Sequence, residues 1–183
     1  MTRLARVLAV GLVAALGLFG ALFIAGETLA DPGGWQGIGL VGAWAVPMGA
    51  LTVLALRQPA VAGRVLPWAL LVAGVLLLAD AAGAYPRDAG PVGTITMFAV
   101  VVPSGLLGLH RAFLAGVLVL AAGATQLGAA LVERGRSGAG LEQVLGGSTG
   151  AFVVPFLVCA VLLLLTAALE RHDAHHPHLH AVS

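Results

Sequence analysis

The length of the stretches without a charged residue constrains this chain more than any other feature. Uncharged runs occupy residues 7–26, 35–56, 65–79, 89–109, 112–132 and 143–169. A helix rises 1.5 Å per residue, so ~20 apolar residues cross the ~30 Å hydrocarbon layer of a bilayer. Every run but 65–79 reaches that length. The short run covers only ~22 Å before Asp80. Its helix is expected either to tilt less than its neighbours or to carry Asp80 into the outer apolar layer and end near Tyr85. Charged residues make up 9% of the chain against 60% hydrophobic, far below the roughly one quarter a soluble surface uses. Alternating segments of ~10 residues, the mark of a membrane β-barrel, are missing. The expected fold is an all-α membrane protein, a six-transmembrane-helix bundle with spans about 7–27, 35–56, 65–84, 90–109, 112–132 and 147–169. It forms one domain over 1–171, followed by a His-rich disordered cytoplasmic tail, 172–183.

The opening "MTRLARVLAV" resembles the basic start of a signal peptide, but 20 uncharged residues follow, more than the 7–15 of a signal core. It is expected to remain as the first helix. Cys159 is the only cysteine, so neither an internal disulfide nor a Cys-x-x-Cys redox pair can form. A net charge of +1 gives no footprint for nucleic acid.

Placing successive loops on alternate sides separates the charges. Arg3, Arg6, Arg57, Arg64, Arg111 and Arg171 fall on the side of the N-terminus, and Arg87, Arg134 and Arg136 on the other. Basic residues concentrate on the cytoplasmic face, which predicts a plasma (cytoplasmic) membrane protein with both termini cytoplasmic. The outer side carries Glu27, Asp31, Asp80, Asp88, Glu133 and Glu142, the inner side Glu170 and Asp173. Trp35, Tyr85 and Trp68 lie near span ends, as interfacial aromatics do.

Glu27, Asp80 and Glu133 are spaced by 53 residues, each near the outer end of an odd-numbered helix. "AVP" at 45–47 and "VVP" at 101–103 and 153–155 mark the even-numbered ones. This reads as three parallel helical hairpins, or as six similar spans that fall into step without common ancestry. Pro47, Pro103 and Pro155 each remove an internal hydrogen bond and favour a kink. Small residues four apart (Gly39 and Ala43, Ala45 and Gly49, Ser104 and Gly108, Ala124 and Gly128) allow close helix approach.

The odd-numbered helices run outward, so Glu27, Asp80 and Glu133 lie at helix C-termini. The macrodipole there disfavours a carboxylate by about 0.3–1 kcal/mol. Compensation is expected from a basic partner, a bound cation or protonation. Unpaired C-terminal carbonyls beside carboxylates suit Na⁺ or a proton; Arg87, Arg134 and Arg136 are the rival partners. Gln126, in "ATQLGA" with Thr125, lies in the outer half of its span, where an amide either cross-links helices or lines a polar cavity. The candidate ligand or cation site is therefore Glu27, Thr28, Asp80 and Gln126. In the tail, His172, His175, His176, His178 and His180 have the spacing of a loose transition-metal chelate, with a merely solvated tail as the alternative. Ser104 and His110 do not share a helix face, Cys159 has no ionisable neighbour, and "GGSTG" at 146–150 lacks the lysine of a phosphate loop. No catalytic constellation and no cofactor are expected.

In length and span count the chain resembles the substrate-binding components of energy-coupling-factor vitamin transporters. Ala5 and Ala9 offer the small-residue spacing that a docking helix of that kind would use. The resemblance implies a fold and no activity. The readings that follow are a small transport or solute-binding protein with an outward-facing acidic cavity for a small cation or solute; a non-catalytic subunit or scaffold of a larger membrane complex or homo-oligomer; and a transition-metal permease using the His-rich tail.

Overall fold

The computed structural model of the protein describes residues 2–30, 34–85, 92–138 and 148–175. These fold into helices alone: α1 (Thr2–Ala30), α2 (Gly34–Arg57), α3 (Pro59–Ala81), α4 (Val92–Leu107), α5 (Ala112–Ser137) and α6 (Ser148–His175), with no strand among the described residues. Four stretches within them are long and apolar enough to cross a membrane: Gly37–Arg57, Pro59–Ala81, Ala112–Arg136 and Val153–Arg171. The apolar stretches of α1 and α4, Arg6–Gly20 and Thr94–Leu107, are shorter. Membrane character is thus carried by four helices on length and composition.

The helices form a ring of five around one. α1 packs on α2, α2 on α3, α3 on α5, α5 on α6 and α6 on α1, while α4 packs against α1, α2, α3 and α5. On its fifth side, Phe98 of α4 meets Phe156 of α6 edge to face, with ring centroids 5.8 Å apart. Residues 97–105 of α4 are buried without interruption. A helix that is apolar on every face belongs in the interior. α4 is also the shortest, 16 residues or ~24 Å. The outer helices turn Leu8, Phe19, Val46, Trp68, Val75, Val154 and Leu165 outward, each more than half exposed, as a lipid-facing belt would be.

Glycines set how closely the ring closes on α4. A Cβ at Gly105 would overlap the side chain of Val13 in α1, and one at Gly17 the side chain of Val102. On α5, Cβ atoms at Gly116 and Gly123 would stand 2.8 Å from Leu164 and 3.1 Å from Leu157 of α6. The predicted small-residue pairs fare differently. Ser104 and Gly108 pack inside, whereas nothing approaches Gly39, Gly49 or Gly128. Spacing alone does not say whether a partner helix lies opposite.

Three expectations are corrected. α3 starts at Pro59, not near Val65, because Gln58 alone links it to α2 and proline is well placed in a first helical turn. The helix therefore has 23 residues, ~34 Å of length. Asp80 sits in its last turn, so a start at Pro59 gives the helix its length without an extension past Asp80 to Tyr85. α6 continues to His175, past the expected boundary at Arg171; residues 176–183 lie outside the described residues. Finally, the hairpins are not equivalent. α4 is central while α2 and α6 are in the ring, and Pro47 is exposed where Pro103 is buried. A local echo survives at the α2–α3 and α4–α5 turns. Gln58 (φ −134°, ψ 65°) and Arg111 (φ −139°, ψ 70°) have matching backbones, each the residue immediately before a helix. Each N–H donates at 2.8 Å to the carbonyl four residues back, Leu54 and Leu107 respectively.

Candidate functional site

The close contacts between helices give the depth of each polar residue. Gly63 meets Leu114, Gly74 meets Thr125, and Gly83 meets Arg136, so α3 and α5 run parallel in near-constant register. Gly108 meets Val10, Gly105 meets Val13, and Val102 meets Gly17, so α1 and α4 run antiparallel. Extending that register places Val92, the first residue of α4, level with the last turns of α1, where Glu27 and Thr28 lie. Gly63, near the start of α3, meets Arg111 just past the end of α4, so Asp80 in the last turn of α3 lies toward the N-terminal end of α4. Glu27 and Asp80 therefore stand on helices flanking that N-terminal end of α4. The side chains of Glu27 and Thr28 lie outside the described residues.

This arrangement changes the electrostatics expected of the acids. Each lies at the negative pole of its own helix but level with the positive pole of α4, which runs the other way. The C-terminal end of α3 also has a cation. Arg136 Nη1 donates to the carbonyl oxygen of Ala81 at 2.9 Å, and its guanidinium covers Gly83. The left-handed backbone there (φ +76°) favours glycine. Gly83 N–H donates to Asp80 O at 2.8 Å and Ala84 N–H to Ala79 O at 2.9 Å, closing the helix in a Schellman motif. The basic-partner form of compensation is thus present at this helix end. Glu133 is exposed in the last turns of α5.

Gln126 lies deeper. Thr125 beside Gly74 puts it about six residues, ~9 Å, below Asp80. It is 6% exposed, one residue past Thr125 and one turn outward of Gly123, which packs on Phe156 and Leu157. Among the described residues the buried polar side chains are Ser104, Gln126 and Thr166. Ser104 Oγ donates to Val100 O and Thr166 Oγ1 to Leu163 O, both at 2.8 Å. Half-exposed Thr125 does the same to Ala121 O. Hydroxyls are satisfied by their own helix in this way. A carboxamide is not, because its oxygen needs a donor and a helix interior has no spare N–H. Gln126 thus stands apart among the buried polar groups by its carboxamide, although the buried side-chain atoms without a partner among the described residues are Arg6 Nε and Trp44 Nε1.

Sequence reasoning missed two features. At the inner end, Arg6 of α1 forms an ion pair with Glu170 of α6, and its Nη1 donates at 3.3 Å to Leu109 O in the α4–α5 turn. The charges at both chain ends were the available signal. In the core, Trp44 is 9% exposed and its indole N–H has no hydrogen-bond partner among the described residues; its place midway along the run 35–56, away from a span end, was the available signal. The predicted metal ligands cannot be placed. His172 and His175 lie at the end of α6 with side chains outside the described residues, as are His176, His178 and His180 altogether. Among the described residues no group of three metal-ligating side chains forms.

Compared with known protein families, with curated proteins and with solved structures, the chain matches none of them.

Proposed function

We propose that the chain is a six-span protein of the plasma membrane, with both termini cytoplasmic, that binds or passes a small cation or cationic solute. The solute enters from the outer side around the start of α4. Glu27, Thr28 and Asp80 form its acidic lip, and Gln126 lies at the floor. The observation that carries this reading is Gln126, a buried carboxamide below the level of Asp80 in a core whose other buried polar side chains, Ser104 and Thr166, bond to their own helices. Polar groups inside a membrane bundle mark ligand or ion paths because apolar substitutes would be cheaper there. The start of α1 and the last turns of α6 lie at the arginine-rich end of the bundle, joined by Arg6 and Glu170, which supports the orientation.

The second reading, a non-catalytic subunit or scaffold, is favoured by Arg136, which supplies the outer end of α3 with its cation and leaves no need for a bound one. Purified protein in proteoliposomes separates the two. Under the first reading, a panel of monovalent cations and small amines includes one that stabilises the protein against heat. Asp80→Asn and Gln126→Leu then abolish that response while leaving the helical circular dichroism unchanged. If no cation or amine shifts the melting temperature and both variants behave as wild type, the solute-binding reading fails and copurified partners become the place to look.

A further inference from the structure

The inner end of the α3–α5 seam has a chemistry of its own. Gly63 of α3 faces α5, where a Cβ would stand 3.0 Å from Arg111 Nη1 and 3.2 Å from Leu114. The Arg111 guanidinium therefore lies against α3 one residue from Arg64. Arg57 ends α2 just before the one-residue turn. All three arginines are exposed. Among the described side chains the carboxylate at this end is Glu170, and Arg6 holds it. Among the described side chains the patch is thus cationic without an acid to neutralise it. Apolar surface continues from it along both helices: Leu71 and Val75 on the flank of α3 that also carries Arg64, and Val117 and Leu120 on α5, are exposed. Trp68 is one turn from Arg64, where an amphipathic ring marks the headgroup level.

We propose that this seam binds one anionic phospholipid, its headgroup phosphate between Arg64 and Arg111 with Arg57 alongside, its acyl chains lying along the exposed stripes of α3 and α5. Arginine presents a planar fork that matches phosphate, and basic clefts between membrane helices on the cytoplasmic side take acidic headgroups. The apolar stripes select an amphipathic anion over a soluble one. The inference rests on the chain lying in a membrane and is independent of any solute site at the other end.

The test is thermal unfolding of the purified full chain in neutral detergent with added phosphatidylglycerol, phosphatidylcholine or inorganic phosphate. Phosphatidylglycerol is expected to raise the melting temperature, and the other two are not. The variant Arg64→Gln/Arg111→Gln is expected to bind phosphatidylglycerol about thirty-fold more weakly, the ratio for two arginines at about 1 kcal/mol each. Arg134→Gln, at the opposite end, keeps the wild-type response. Native mass spectrometry of the wild type is expected to show one retained anionic lipid, a readout that does not depend on any variant folding. Equal stabilisation by both lipids, stabilisation by inorganic phosphate alone, an unchanged response in the double variant, or no retained anionic lipid would each overturn the proposal.

Discussion

Replacing Arg6 with methionine removes the one side chain that ties α1, α6 and the α4–α5 turn together. Its Nη2 pairs with the Glu170 carboxylate and its Nη1 donates to Leu109 O at 3.3 Å. A fully exposed ion pair contributes about 0.2–1 kcal/mol. Removing one partner of a fully buried pair costs about 3–5 kcal/mol, because the other charge is left without a counterion. The side chains here are 23% and 30% exposed, between those limits. Arg6→Met is accordingly expected to cost about 2 kcal/mol. Glu170→Gln is expected to cost less, about 1 kcal/mol, because Arg6 keeps Leu109 and can reach water. If the two act on each other, the double variant loses about 1 kcal/mol less than the sum of the singles. Equilibrium unfolding in mixed micelles, titrated with a denaturing detergent and followed by circular dichroism, measures all three. A coupling below about 0.3 kcal/mol, inside the scatter of independent sites, would show that the pair does not lock the inner end. So would a coupling that disappears between 0.1 and 1 M salt, where the screening length falls from ~10 to ~3 Å, since that marks a solvated pair.

Gly105→Leu forces a side chain into the space occupied by Val13 and is expected to cost at least about 1–3 kcal/mol by overpacking, whereas Gly39→Leu, with nothing within 4 Å, is expected to be silent; equal effects in the same unfolding assay would refute the central placement of α4. Trp44→Phe removes an indole N–H that has no partner among the described residues, recovering about 1–3 kcal/mol of desolvation against the poorer packing of the smaller ring. Its net stability change is expected within about 1 kcal/mol, while Trp44→Ala is expected to lose about 3–5 kcal/mol. A Trp44→Phe loss as large as the alanine loss would mean that the N–H has an acceptor.

That the chain is helical and membrane-like followed from its uncharged runs, because only a helix satisfies its backbone within one continuous apolar segment. The charges also located correctly: Arg6, Arg111 and Arg171 all lie at one end of the bundle, with Arg171 stacked 4.5 Å from the ring of Phe113. The start of α3 was misjudged because Arg64 was taken as a boundary, when a long charged side chain near a helix end reaches the interface from within the helix. What no reading of the runs decided was which helix is enclosed. In water, burial is written into a sequence as periodic hydrophobicity. In lipid the surroundings are as apolar as the core, so the face turned to a neighbour and the face turned to the membrane carry the same residues. The centre of this bundle was chosen by steric fit: Gly17 against Val102, Gly105 against Val13, Gly108 against Val10. Such a fit depends on a partner that the helix's own sequence does not name. The height of Asp80 and Gln126 relative to the start of α4, and the cation that Arg136 brings to Ala81, follow from that register and exist only once the helices are packed.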